Sequence, residues 1–178
     1  MSMTVAAANP AWAIKDYLEV QNGHLSISGA DALELISRFE SPLFVFSGPR
    51  IKANINRLKS AAESVAHPIR FFYASKANSN MAVLKLVRDS GIDIEVNSGG
   101  ELFKALRVGF RPDQIIFNGT SKSDGELDDA VRAGIHAINV DSIYEIGLVE
   151  EAVRRAARAS GQTPKPARIT LRLVPEIG

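Results

Sequence analysis

Ile92-Asp93-Ile94-Glu95-Val96-Asn97-Ser98-Gly99-Gly100-Glu101 is a β-prone run delivered directly into a helix start. Ile92 to Val96 reads as a short strand, and Ser98 with Glu101 has the S-x-x-E spacing of a capping box. In such a box the serine oxygen accepts an N–H of the first helical turn, and the glutamate accepts the N–H of the cap residue. The same device recurs at Ser123…Glu126 and Ser142…Glu145. Three boxes fix where three helices begin, and so where the strands before them stop.

Working outward, strand-like and helix-like blocks alternate along most of the chain. Strands are predicted at Pro42–Phe46 (ended by Ser47-Gly48-Pro49), Ile69–Ala74, Ile92–Val96, Gln114–Phe117, Ala137–Val140 and Ala167–Val174. Helices fall between them at Ile51–Val65, Met81–Ser90, Glu101–Val108, Glu126–Ala133 and Ile143–Ala159. Ser160-Gly161-Gln162-Thr163-Pro164-Lys165-Pro166 is the one linker-like join. Regular βα alternation with short links implies an α/β fold: a parallel sheet with helices outside, wound open or closed as a barrel. Sites in such folds lie at the carboxyl ends of the strands. Lys76, Asn97, Ser98, Asn118, Gly119 and Asp141 sit at those ends, and Arg172 lies late in the last strand. His136 is at the opposite, amino-terminal end of its strand, which marks it as structural.

Composition narrows the function classes. Hydrophobic residues at 46%, charged residues at 23% and a net charge of +1 describe an ordinary globular chain. No basic stripe with interleaved aromatics points to nucleic acid, and no apolar run is long enough to span a bilayer. Met1 to Ala13 lacks the basic start of a signal peptide. The absence of cysteine excludes disulfides, thiol catalysis and thiolate metal sites. His24, His67 and His136 have no metal-ligand spacing. The expectation is a cytoplasmic protein without a metal.

Phe71-Phe72-Tyr73-Ala74-Ser75-Lys76-Ala77-Asn78 supplies the chemistry. A lone lysine leaves an aromatic strand and enters the turn Asn78-Ser79-Asn80. Desolvation by the strand's packing would lower its pKa and make the amine nucleophilic toward a carbonyl. Taken alone, such a lysine more often simply solvates a loop. Its companions change that reading.

Tyr73-Ala74-Ser75-Lys76-Ala77-Asn78 resembles the cofactor-lysine motif of the pyridoxal-phosphate decarboxylases with the alanine-racemase-type fold, the diaminopimelate/ornithine decarboxylase family. Val96-Asn97-Ser98-Gly99-Gly100-Glu101-Leu102, Ile115-Ile116-Phe117-Asn118-Gly119 with Lys122-Ser123, Ile138-Asn139-Val140-Asp141-Ser142 and Leu171-Arg172-Leu173 match it in order. So does Ser41-Pro42-Leu43-Phe44-Val45-Phe46, and the resemblance spans about Leu25 to Pro175. It implies a parallel (β/α) barrel of TIM type, here cut to five or six strands. Residues 1–40 would form a lead-in segment with a short strand and helix, and residues 41–178 the partial barrel. On this resemblance the family's carboxy-terminal β-domain would lie outside these residues.

The resemblance also implies roles. Lys76 would hold the aldehyde of pyridoxal 5'-phosphate as an internal Schiff base and act in proton transfer at the α-carbon. Ala74, Glu95, Ser98 and Arg172 join it as the cofactor-binding set. Glu101 matches a family acid near the site, although its capping box already explains it. Gly99 and Gly100 read as permitting close backbone approach and a tight turn, not as the phosphate cup, which in the family comes later. The substrate would be a small-molecule amino acid losing its α-carboxylate as CO₂, and the parent protein a cytoplasmic homodimer of lysine biosynthesis with shared sites. Three departures stand out: Glu95 for the usual aspartate, Ser75 for valine or isoleucine, and Asn97 before the Ser-Gly-Gly run. They suggest a branch acting on another basic or conjugated amino acid. The 178-residue chain alone is expected to be inactive, because the remaining barrel strands carry the rest of the cofactor grip. A non-enzymatic pyridoxal-phosphate carrier and an inactive half-barrel are the alternatives.

Overall fold

The computed structural model describes residues 10–163, 165–173 and 175. They fall into two compact units, residues 1–61 and 62–178. In the first, β1 (Leu18–Gln21), β2 (His24–Ile27) and β3 (Ala30–Asp31) form an antiparallel meander in sequence order. Asn22-Gly23 makes the first turn with φ of 52° and 82° at its two centres, the left-handed pair that a tight hairpin requires. Asp31 then caps α1 (Ala32–Phe39), accepting from the Leu33 N–H at 2.7 Å, while its other oxygen meets His24 Nδ1 at 2.7 Å.

The strand expected at Pro42–Phe46 does not form. The segment runs to α2 (Gly48–Glu63) without a ladder partner, and Phe44 is 86% exposed. A strand exists only through a neighbour, and the local β-propensity of Leu-Phe-Val-Phe cannot supply one. Helix α2 starts three residues before its predicted start because Pro49 suits a first turn and the Ser47 hydroxyl accepts the Arg50 N–H at 3.2 Å.

The second unit carries the parallel sheet. Its strands are β4 (Phe72–Ala74), β5 (Asp93–Val96), β6 (Ile115–Phe117), β7 (Ala137–Val140) and β8 (Ile169–Leu171), paired in sequence order. Between them run α3 (Met81–Asp89), α4 (Gly99–Arg107), α5 (Asp124–Ala133) and α6 (Ile143–Ser160). A doubly wound sheet would reverse its strand order at a switch point, whereas sequential order throughout is the winding of a barrel. The fold is therefore five consecutive strands of a (β/α) barrel of TIM type. β4 and β8 are shorter than expected because each is an edge with a single neighbour. Val174, the predicted end of the last strand, lies outside the described residues.

Alternation decides which side chains reach the site. Ile94, Val96, Ile115, Phe117, Ile138 and Val140 are buried on one face, in a core shared with Leu84 and Val87 of α3, Leu102 of α4 and Leu127 of α5. The register Ala74↔Glu95 and Asn139↔Thr170 puts Ala74, Glu95, Asn139 and Thr170 on the opposite face. His136 stays at the amino-terminal end, stacked near Phe72 with ring centroids 6.3 Å apart and contacted by Arg70 and Arg168. Burial first, and then those two guanidiniums, hold its imidazole below the ordinary histidine value. It is a structural group, as its position implies.

The three S-x-x-E helix starts are observed, with one correction. Each serine caps its helix, accepting from Glu101, Glu126 and Glu145 N–H at 3.3, 3.4 and 3.2 Å. Only Glu126 returns the bond to its cap residue, accepting the Ser123 N–H at 2.9 Å. Glu101 and Glu145 reach one residue further back, to the N–H groups of Asn97 at 2.9 Å and Asp141 at 3.0 Å. Each of the three glutamates also holds the preceding strand–helix loop. Glu101 binds the Ser75 hydroxyl, Glu126 the Gly99 N–H at 2.6 Å, and Glu145 the Lys122 ammonium at 2.7 Å. A Cβ at Gly99 would lie 2.8 Å from Glu126 Cγ, so this stitch needs a glycine there.

Lys122 is the most enclosed of these groups, its side chain 1% exposed. Its three N–H donors are all used, on Glu145, on the Gly119 carbonyl at 2.5 Å and on the Asn139 carbonyl at 2.7 Å. Removing one partner of a buried pair strands the other charge, so K122A should destabilise the protein by about 3–5 kcal/mol. The K122M/E145L double variant should recover part of that loss in the same thermal melts; equal losses in both would show that a stranded Glu145 charge is not its cause.

Glu126 gives a pH prediction. The Gly99 N–H first, then Ser123, hold its carboxyl below the ordinary glutamate value. A depressed carboxyl contributes stability above the unfolded-state value of about 4.3, and loses it as pH falls through the lower folded value. E126Q should cost about 1 kcal/mol at pH 7. Its gap to the parent should close as pH falls below the ordinary glutamate range; a gap constant with pH would disprove the link.

Candidate functional site

Lys76 lies in a single tight turn, Ser75–Ala77, immediately after β4. The backbone there is pinned from several sides. Tyr73 Oη donates to the Asn78 carbonyl at 3.1 Å, and Asn78 Oδ1 accepts the Asn80 N–H at 2.9 Å. Asn80 caps α3 through the Ala82 N–H at 2.9 Å, and Lys104 Nζ reaches Ser79 Oγ at 3.0 Å. The Lys76 side chain itself is exposed and, among the described residues, makes no hydrogen bond or ion pair. The apolar enclosure expected around its amine is therefore not supplied by these residues. What they supply is a fixed backbone with an uncommitted amine.

Glu95 ends one row of the sheet beside it, level with Ala74 in the ladder. Its Oε1 accepts from the carboxamides of Asn118 at 2.9 Å and Asn97 at 3.3 Å. Glu95 Oε2 has no hydrogen-bond partner among the described residues. Asn118 was placed at a strand end by the sequence but not assigned to the site. Its missing signal is the interval from Glu95, which is fixed only once β5 and β6 are in register. Gly119 follows for a steric reason, since a Cβ there would collide with the Asn97 carbonyl oxygen.

The other expected residues divide. Ser98 is committed as the α4 cap, its oxygen taken by the Glu101 N–H. The Gly99 N–H is already held by Glu126, so the start of α4 is not a vacant phosphate cup, in keeping with the sequence reading. Arg172 stands one residue beyond β8, where its N–H donates to the Val140 carbonyl at 2.8 Å. It is exposed and shares the carboxyl-end rim with Lys76, but on the opposite edge strand. Four strand spacings separate them, on the order of 19 Å along the sheet. The structure gathers Lys76, Ala74, Glu95, Asn97 and Asn118 at the ends of β4 to β6, while Arg172 follows β8 with the parity of Thr170, on the face of Ala74 and Glu95 around which a barrel closes. A cavity of about 750 Å³ opens at the other end of the strands, among Asp113, Arg132, His136, Lys165 and Arg168, away from this group.

This donor set fits pyridoxal phosphate in part. It offers one free primary amine for an aldehyde, a carboxylate oriented by two carboxamides, and an α4 start whose Gly99 N–H is already taken by Glu126.

Comparison with known proteins agrees. Residues 51–178 match the family described as pyridoxal-dependent decarboxylase, pyridoxal binding domain. Diaminopimelate decarboxylase of Methanothermobacter thermautotrophicus is 38% identical over 156 residues, covering 88% of this chain and 34% of that protein. L-glutamyl-[BtrI acyl-carrier protein] decarboxylase of Niallia circulans is 34% identical over 152 residues, covering 85% and 33%. The crystal structure of diaminopimelate decarboxylase from M. jannaschii in co-complex with L-lysine superimposes with a TM-score of 0.80 at 34% identity, over 92% of this chain and 37% of that one. The chain spans about a third of the length of these relatives. With five consecutive barrel strands, a free lysine at the end of β4 and the family's sequence over residues 51–178, the chain belongs to the pyridoxal-dependent decarboxylases and carries part of their pyridoxal-binding domain.

Proposed function

We propose that this chain is the cofactor-anchoring part of a pyridoxal-phosphate-dependent amino-acid decarboxylase, with Lys76 as the residue that bonds the cofactor aldehyde. The observation that carries the reading is the uncommitted amine of Lys76 on a backbone pinned at Tyr73, Asn78, Ser79 and Asn80. When bound, the cofactor supplies the electron sink for the pair left behind as a carboxylate departs as CO₂. The protein's part is to position and to move protons. Lys76 is placed to exchange one amine for another and to hold a proton at Nζ near the reacting carbon. Glu95, held by Asn97 and Asn118, presents its free oxygen on the same rim as a fixed negative charge. Arg172 offers a cation on the same carboxyl-end rim, from the opposite edge strand, for an anionic group of cofactor or substrate.

A diamino acid of the diaminopimelate type is the favoured substrate class, since that activity recurs among relatives at 35–38% identity. The relative acting on a carrier-linked glutamyl group supports a second reading, decarboxylation of a conjugated amino acid. The whole enzyme would be a homodimer, and the isolated 178-residue chain inactive.

The test is borohydride reduction of the full-length protein with pyridoxal phosphate, followed by peptide mapping. One adduct on Lys76 is expected, and K76A should retain none; an adduct on another lysine would remove the assignment. CO₂ release from free diaminopimelate, compared with a carrier-linked amino acid, separates the two substrate readings.

A further inference from the structure

We infer that Ser75 is a positioning residue for Lys76, locking the lysine's turn to the start of α4 through Glu101. The inference rests on the reading of Lys76 as the cofactor lysine and assigns a role to the residue beside it. Ser75 is completely buried, yet it is polar, and its hydroxyl lies within bonding distance of two acceptors. One is the Glu95 carbonyl oxygen at 2.9 Å, and the other is Glu101 Oε2. A hydroxyl has one proton to donate. The carboxylate is the stronger acceptor, because charge-assisted bonds are about twice as strong as neutral ones.

Glu101 has no basic partner among its hydrogen bonds. Oε2 is held by the Ser75 hydroxyl and by the Asn97 N–H at 2.9 Å, so Ser75 is one of two groups that compensate it. Three strand ends meet there. Ser75 opens the turn after β4, Asn97 follows β5, and the Asn97 and Asn118 carboxamides together fix Glu95. Residue 75 is adjacent in the chain to Lys76, so the angle at which the lysine leaves the sheet is set by where this hydroxyl is tied. The remaining pins act downstream, at Asn78, Ser79 and Asn80. Ser75 is the upstream one. Without it, the turn is held upstream by the β4–β5 ladder at Ala74 alone and loses its side-chain tie to α4.

The experiment compares full-length parent, S75A, S75T, E101Q and S75A/E101Q. Three quantities are read: the rate of pyridoxal phosphate capture at Lys76, trapped by borohydride and counted by peptide mass; the induced circular dichroism of the captured cofactor; and the rate of Lys76 acylation by a cofactor-free amine reagent. Losing a bond to a charged group should slow capture in S75A about ten-fold. The induced signal should weaken, and the melting temperature should stay within about 4 °C of the parent. S75T, which keeps the hydroxyl, should restore capture and signal. The double variant should be no slower than the slower single one, since both substitutions act on the same bond, S75A removing it and E101Q taking away its charge. Parental capture and dichroism in S75A would overturn the assignment, as would multiplicative losses in the double variant. If the parent captures no cofactor at Lys76 while S75A still alters its acylation rate, the anchor stands and the cofactor reading fails. An unaltered acylation rate in that case would sink both.

Discussion

The interaction on which the site face depends is a carboxylate at the third position of a helix, turned back onto the loop before it. Loops at the rim of a barrel are the mobile part of the fold, and function requires that they be fixed. Here Glu101 holds the β4 turn, Glu126 the β5 turn, and Glu145 the β6 turn through Lys122. Each bond joins one βα unit to the next, so the order of strand ends around the rim is tied by one side chain–backbone and two side chain–side chain bonds. The last link is the costliest to build. A buried ion pair contributes little unless every donor is satisfied, and Lys122 meets that condition with two carbonyls and a carboxylate.

Much of this was legible from residue order, for a physical reason. Strand and helix periods, serine caps and the glycines at strand ends are local signals, and the βα alternation of residues 69–171 needs no long-range information. Ser98, Ser123 and Ser142 fix three helix starts by themselves. The partner of each glutamate is not local. Whether Glu101 bonds the N–H of Ser98 or of Asn97 depends on whether Ser75 has been brought beside it from across β4 and β5. The sequence reading therefore named the right carboxylates and gave two of them the wrong partner.

The same distinction explains the remaining gaps. Lys122 stands in a polar turn, Ser121-Lys122-Ser123, that reads as solvated; only Glu145, 23 residues on, reveals it as interior. Leu43-Phe44-Val45-Phe46 has strand composition but no ladder in the structure, because pairing is decided by a neighbour and not by the segment. Arg172 was correctly placed at a carboxyl end, and the face rule holds for it. Its place relative to Lys76 is set by strand order and register across the sheet, which no single strand encodes. His136 was judged by its position alone, and two arginines and a ring contact support that judgement.

A lysine that must first bond one carbonyl compound and then release it cannot be held by its own amine. A tight ion pair would position Nζ well but would have to be broken at every exchange, and it would draw the amine toward its protonated, unreactive form. The alternative is to fix everything except the amine. This chain takes that course: Tyr73, Asn78, Ser79 and Asn80 hold the backbone on one side of Lys76 and Ser75 on the other, while Glu95 is oriented by Asn97 and Asn118 instead of by the lysine. The carboxamides also offset the longer reach of a glutamate at this position, since they fix Oε1 and so determine where Oε2 can point. Orientation of the acid and freedom of the amine are thereby assigned to different residues, and the rim of three linked glutamates keeps the two in register.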